Sequence, residues 1–178
     1  MLRYTSLKSP IGPLFLACTE TNIIRLTFGD GPGESDTKFF NRFFPATAIE
    51  RDSQFPLILE GKQQLEEYFE GSRKTFDLPL KFLGTAFQVS VWHYLLTIPY
   101  GATQSYGHMA EQLKSSARAV GSANGKNPIS IIGPCHRVIA SDGSLCGYGG
   151  GLAVKRKLLE LEGALSAALD KAVGTTLF

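Results

Sequence analysis

The apolar positions near the amino terminus come in three short runs, Leu2–Leu7, Leu14–Cys18 and Ile23–Phe28, separated by SPIGP and a polar stretch and closed by GDGPG. Short runs bounded by proline and glycine predict strands, here of a small antiparallel sheet. After a polar loop, Ser53 is placed to cap a helix through Glu70, with Ile58, Gly61, Leu65, Tyr68 and Phe69 on one stripe and Gly71 as its stop. The segment Asp77–Gly84 carries a proline and no periodicity, so it reads as a linker with a domain boundary beside it.

The second half changes period. Thr85 and Gln88 form a capping box ahead of a helix in which Phe87, Val91, Tyr94, Leu95 and Ile98 recur at helical spacing, with Trp92 alongside; the stripe reads as core. Ser105 caps a short helix bearing Met109, Ala110 and Leu113, on which His108 faces solvent. A break at Lys114–Ser116 leads into a helix reaching Asn124, and two short helices across a tight turn predict a helix-turn-helix. On the second of these helices Ala117, Val120 and Asn124 share one side and Arg118, Ser122 and Gly125 the other. One cation among small residues suits close approach to a nucleic-acid groove; it equally describes a helix packed in its own domain with Arg118 solvated.

Asn127-Pro128 ends that helix, because the residue before a proline resists the α conformation. Ile129, Ile131 and Ile132 predict a β-rich run into Pro134-Cys135-His136-Arg137, where a thiol is followed by an imidazole and a guanidinium. Cations beside a thiol lower its pKa and suit a nucleophile. The alternative is a structural cysteine beside a surface basic pair. Gly147–Gly151 is a glycine-rich loop whose one large side chain is Tyr148; it admits a flat ligand but lacks the phosphate-loop pattern. The last helix, Leu152–Glu162, sets Lys155, Leu158, Leu159 and Glu162 on one arc and Glu160 opposite. A carboxylate on a buried stripe needs a partner, which pairs Glu162 with His136; the alternative is a helix-end glutamate reaching solvent.

Composition narrows the class. With 43% hydrophobic and 19% charged residues among 178, the chain is an ordinary globular protein of one large or two small domains. A net charge of +2 is too small to indicate a nucleic-acid partner, so any binding face has to come from local arrangement. Cys18, Cys135 and Cys146 show no CxxC spacing and the histidines at 93, 108 and 136 are scattered, which predicts a reducing interior and no metal site. The absence of an apolar signal core or of a run near the roughly 18 apolar residues that span a bilayer predicts no membrane association and a cytoplasmic location, nuclear in a eukaryote.

Read together, GTAFQ at 84–88, VW at 91–92, IPYG at 98–101, SYG at 105–107, ARAVGSANGKNP at 117–128, PCHRV at 134–138, GYGGG at 147–151 and Lys155 with LLELEG at 158–163 resemble the O6-alkylguanine-DNA alkyltransferases of the bacterial Ogt type. SPIGPL near the amino terminus resembles the family more weakly. The resemblance implies an α/β chain of the α+β kind. Residues 1–80 would form a scaffold, a ribonuclease H-like sheet with a helix, and residues 81–178 a mostly helical DNA-binding and alkyl-transfer domain with the helix-turn-helix and PCHRV.

The implied partner is double-stranded DNA containing O6-alkylguanine, with O4-methylthymine a poorer substrate. The implied reaction is a single, irreversible alkyl transfer to Cys135 by a monomer with no cofactor, metal or obligate protein partner. By motif, His136 takes the thiol proton through a water, Glu162 orients the imidazole, and Tyr106 donates to the leaving guanine. Arg118 fills the space left by an extruded base, with Ser105, Ala117, Ser122 and Gly125 as further DNA contacts. Asn127 is a hinge, and Tyr148, Gly149, Lys155 and Val138 line the base pocket. Three positions depart from the family pattern: QLKSSARAV is shorter, His108 replaces a glutamate, and Gly133 stands where an aliphatic residue is common. Two other functions remain open at this point, a non-catalytic lesion sensor and a cysteine hydrolase of small amides or esters.

Overall fold

The computed structural model describes residues 1–165. They divide into two compact units, Met1–Leu83 with Pro128–Ile132, and Gly84–Asn127 with the chain from Gly133.

In the first unit, β1 (Leu2–Leu7), β2 (Leu14–Cys18) and β3 (Ile23–Phe28) pair antiparallel as their apolar runs predict. The sheet is mixed, however, because β4 (Ile49–Arg51) adds parallel to β1 and gives the order β3-β2-β1-β4. Its sequence IER holds one apolar residue, too little for a period to register. Alternate residues of β2 face opposite sides, and both sides are covered. Phe15 and Ala17 pack with Leu2, Ile24, Phe39 and Phe40. On the other side Leu16 meets α2 (Pro56–Phe69) so closely that a Cβ on Gly61 would come within 3.0 Å of it.

Two helix starts differ from expectation. The stretch read as a polar loop contains α1 (Glu34–Phe43), capped by Gly33. Asp36 holds this end: Oδ2 accepts from the Gly33 amide at 2.8 Å, and Oδ1 accepts from Arg25 Nε at 2.7 Å and Thr27 Oγ1 at 3.0 Å. The helix therefore depends on a buried tertiary ion pair that no local pattern announces. α2 begins at Pro56 with Phe55 as its cap, not at Ser53, since proline is preorganised for the first helical position.

The remaining edge of β3 is covered by two short stretches of chain. Ile23 bridges to Leu80 and Leu26 to Ile129, so part of the stretch read as a linker acts as an edge partner. The Ile129–Ile132 run does not form a strand of its own. Ile131 sits at φ 71°, a left-handed conformation that breaks the extended backbone.

The second unit follows its caps. α3 (Ala86–Leu95) has the expected capping box, Thr85 Oγ1 accepting from the Gln88 amide at 3.2 Å and Gln88 Oε1 accepting from the Thr85 amide at 2.9 Å. Buried Trp92 donates Nε1 to the Ala123 carbonyl at 2.8 Å, tying α3 to α5 (Ala117–Asn124). β5 (Gln104–Ser105) runs into α4 (Tyr106–Gln112), whose cap Ser105 accepts from the His108 amide at 3.1 Å. α4 ends in a Schellman turn: Ser115 N–H bonds the Ala110 carbonyl at 2.8 Å and Lys114 N–H the Glu111 carbonyl at 3.2 Å, with Lys114 at φ 50°. Ser116 then caps α5, completing the helix-turn-helix.

Cys135–Arg137 is a short 3-10 turn rather than part of a strand, closed by Cys135 N–H to Gly133 O at 2.7 Å and Arg137 N–H to Pro134 O at 3.0 Å. It delivers the chain to β6 (Val138–Ile139), parallel to β5, and then to α6 (Leu152–Leu161). Among the described residues, no helix is long and apolar enough to cross a membrane.

A Cβ on Gly84 would lie 2.5 Å from the buried Trp92 ring, so Gly84→Ala should destabilise the protein by about 1–3 kcal/mol, read as a fall in Tm. Lys114→Gly should have the opposite sign, adding about 1 kcal/mol in a urea titration by relieving the left-handed lysine.

Candidate active site

The 3-10 turn and the end of α6 bring together His136, Arg137 and Glu162, all buried. His136 Nε2 lies 2.7 Å from Glu162 Oε1. Arg137 grips the same carboxylate with both arms of its fork, Nε to Oε2 at 2.8 Å and Nη2 to Oε1 at 2.9 Å, while Nη1 reaches the Ile98 carbonyl at 2.6 Å. The IPYG turn wraps this cluster. Tyr100 donates its hydroxyl to the Leu161 carbonyl at 3.0 Å, and Gly101 stands at φ 79°, where a Cβ would come within 3.0 Å of the Glu162 carbonyl. A carboxylate already held by a guanidinium can only accept from the imidazole, so Nε2 carries the ring proton and Nδ1 the lone pair. That Nδ1 is buried and has no hydrogen-bond partner.

Cys135 sits one residue earlier and is 5% exposed. Burial pushes its thiol pKa up. Smaller influences pull the other way: a hydrogen bond with Asn127, the charge of Lys155, and a hydrogen bond with Tyr148. This corrects the expectation of a thiol activated by His136 and Arg137. Arg137 is committed to Glu162, and burial drives the His136 pKa down, so its ring is neutral. The cation that acts on the thiol is Lys155, whose ammonium donates to the Val138 carbonyl at 2.6 Å and the Cys146 carbonyl at 2.9 Å.

A cavity of about 610 Å³ is walled by Tyr106, Gly107, Ala117 and Gly121 of α5, its cap Gly125, Ala140, Ser141 and Cys146–Gly149; two of these, Tyr106 and Tyr148, also act on or feel the Cys135 thiol. Much of the wall is glycine, which leaves bare backbone against an occupant. The Tyr106 hydroxyl accepts from Asn124 Nδ2 at 3.2 Å, and burial holds its pKa up to about 12, so it remains a donor at neutral pH.

The residues singled out from sequence fall as follows. Cys135, His136 and Glu162 converge, and Glu160 points to solvent as the helical period requires. Tyr106, Tyr148, Gly149, Ala117 and Gly125 line the cavity; Lys155 and Val138 lie behind it, joined by a hydrogen bond. Arg118 and Ser122 are exposed on α5, and Ser105 is occupied in capping α4. Ala117 is exposed with them rather than buried with Val120 and Asn124. Asn127 bonds the Gly133 carbonyl at 2.7 Å, bracketing the five residues contributed to the first unit.

Sequence reasoning missed Asn124, whose amide joins Tyr106 to the Cys135 carbonyl at 3.3 Å, and the anchoring role of Arg137. For Arg137 the signal was present: an arginine adjacent to the histidine can reach the carboxylate assigned to it. Cys146, which the resemblance sets near the pocket without a role in the reaction, is part of the cavity wall. Among the described residues, no cluster of His, Cys, Asp and Glu could hold a metal ion.

Because the His136 pKa is depressed by folding, the unfolded chain binds the extra proton first. The stability this neutral ring contributes is present in full above the ordinary imidazole value of 6.5 and is lost as pH falls below it. Urea midpoints should therefore drop on acidification through that region, and less steeply in His136→Gln. In a separate measurement, iodoacetamide at neutral pH should label half-buried Cys146 before Cys135 or Cys18, both buried with raised pKa, as read by peptide mass.

Comparison with known proteins shows the family. The ribonuclease-like domain of 6-O-methylguanine DNA methyltransferase matches residues 2–82 and the DNA binding domain of the same family residues 86–164. A methylated-DNA–protein-cysteine methyltransferase of Mycobacterium tuberculosis is 44% identical over 164 residues, 91% of this chain and 93% of that protein. One from Methanosarcina acetivorans is 43% identical over 163 residues, 90% of this chain and 98% of that protein. The crystal structure of Mycobacterium tuberculosis OGT in complex with DNA is similar at a TM-score of 0.77 and 44% identity, covering 93% of this chain and 96% of that one. Matched in both of its domains and by relatives over nearly their whole length, the chain belongs to the 6-O-methylguanine DNA methyltransferase family.

Proposed function

We propose that this chain repairs DNA by direct reversal, moving the alkyl group of O6-alkylguanine onto Cys135. The observation that carries the reading is a buried thiol one residue from a histidine with a bare Nδ1, acted on by Tyr148, which itself lines a glycine-rich cavity of about 610 Å³. A cavity of that size takes a purine with its substituent. The Cys135 sulfur attacks the alkyl carbon opposite O6, so that a C–S bond forms as the C–O bond breaks. The thiol proton passes through a water to His136 Nδ1, held in orientation by Glu162. The bond electrons stay with the purine, whose developing charge is met by a hydrogen bond from Tyr106. Taking up one proton then leaves ordinary guanine. Nothing in the cavity hydrolyses a thioether, so each chain acts once.

The target carbon is out of reach inside a stacked duplex, and extruding the base costs a few kcal/mol. Exposed Arg118, beside the wall residue Ala117, occupies the vacated space while Ala117, Ser122 and Gly125 meet the backbone and Ser105 fixes the start of α4. Asn127 serves as the hinge between this helix and the cysteine turn. O4-methylthymine, a smaller base, fills the same cavity less well. Acceptor, base and orienting carboxylate all come from one chain, so the protein acts as a monomer, in the cytoplasm or a nucleus.

Incubation with duplex carrying labelled O6-methylguanine should leave one equivalent of label on the protein, located at Cys135 by peptide mass. Cys135→Ser should abolish transfer while retaining DNA binding. Binding without transfer by the native chain would indicate a sensor, and repeated release of label a hydrolase. Arg118→Ala should slow transfer from duplex about tenfold or more, roughly 1.4 kcal/mol, and affect a single-stranded substrate less.

A further inference from the structure

We propose that Arg137 is a positioning residue for the transfer: by taking both oxygens of Glu162 it fixes His136 as the neutral Nε2–H tautomer and so keeps Nδ1 free to accept the Cys135 proton. The inference deepens the alkyl-transfer reading and rests on it.

His136 and Arg137 share one buried carboxylate, that of Glu162. Glu162 Oε1 is contacted by both His136 Nε2 at 2.7 Å and Arg137 Nη2 at 2.9 Å, and Oε2 by Arg137 Nε at 2.8 Å. A buried carboxylate with histidine as its sole partner would draw a second proton onto the ring, forming an imidazolium ion pair. An imidazolium has no lone pair and cannot receive the thiol proton. With the guanidinium in place the charge of Glu162 is already compensated. A further cation on the ring would then face Arg137 and Lys155 across a buried site, and both disfavour it.

Other groups around the ring do not reverse this balance. α6 contributes Lys155, and its cap residue Glu162 supplies the carboxylate that acts on the imidazole. The turn itself contributes Arg137 and the protonated Cys135. From the 98–101 turn comes Tyr100, whose own pKa is raised by burial and which therefore adds no charge. α3, packed on the 3-10 turn, exposes its titratable His93. Arg137 is thus the cation that meets both oxygens of Glu162, and it also acts directly against a charge on His136.

The test needs no DNA, so its outcome is separate from that of the alkyl-transfer reading. Nitrogen-15 NMR of the histidine rings in the free native protein should show His136 as the neutral Nε2–H tautomer at neutral pH, titrating below an ordinary imidazole. In Arg137→Met the His136 pKa should rise by about one unit or more, and in Arg137→Lys, which keeps a charge but loses the fork, by less. Transfer rates should fall in the same order at neutral pH and recover as pH is raised, since deprotonating the ring restores the base. A disturbance of packing alone would lower the rate equally across pH.

An imidazolium in the native protein at neutral pH would overturn the proposal without any variant. So would an unchanged His136 titration in a folded Arg137→Lys. Should Arg137→Met fail to fold, the native spectrum and the lysine variant decide.

Discussion

A carboxylate buried at the end of α6 constrains everything around it. Glu162 is the C-cap residue of that helix, where unsatisfied carbonyls already concentrate negative potential, so its charge is disfavoured by position as well as by burial. It survives because Arg137 meets it with two aligned N–H groups, and breaking such a pair by removing one partner typically costs about 3–5 kcal/mol. The same compensation limits what Glu162 can do to His136. It accepts the Nε2 proton and orients the ring without charging it, which leaves an imidazole ready to act as a base.

The other buried cation follows the same rule of satisfaction without a carboxylate. Lys155 is solvated by two backbone carbonyls, Val138 and Cys146, just as the third arm of Arg137 is solvated by Ile98. Both cations therefore tie the cysteine turn to neighbouring segments while supplying positive potential. For Lys155 that potential reaches the thiol, yet it does not outweigh burial, and Cys135 remains protonated at rest. A thiol of this kind is protected from stray electrophiles. It becomes a nucleophile only when an occupant of the cavity presents a carbon and the adjacent base can take the proton in the same event.

Where residues interact with near neighbours along the chain, sequence was a good guide. The Thr85 capping box, the Ser105 cap, and the arc that carries Lys155, Leu158, Leu159 and Glu162 on the buried side of α6 all follow from spacing, and all are present. What escaped was decided by distant partners. α1 depends on Arg25 reaching Asp36 across a turn, and β4 on pairing with β1, so neither leaves a periodic trace. The run Ile129–Ile132 has the composition of a strand, but Ile131 in a left-handed conformation breaks it. At the site, His136 with Glu162 was legible because one helical face points the carboxylate inward. Arg137 was misassigned because adjacency to Cys135 suggested a target for its charge that the direction of its side chain excludes.

The connection between α4 and α5 shows how a tight reversal is held locally. The chain makes the turn with Lys114 in the conformation usually given to glycine at a helix end. The Schellman bonds close over that residue and Ser116 begins α5 at once, its hydroxyl taking the Ala119 amide at 3.2 Å. Strain is thus confined to one exposed lysine. The start of α5, with Arg118 in its first turn and open to solvent, is fixed by its own cap and, near its other end, by Trp92 bonded to Ala123. A helix anchored at both ends by such contacts keeps its exposed face whatever the length of the turn before it. The helix that carries Arg118 is therefore held against α3 by its own interactions, independently of the turn before it.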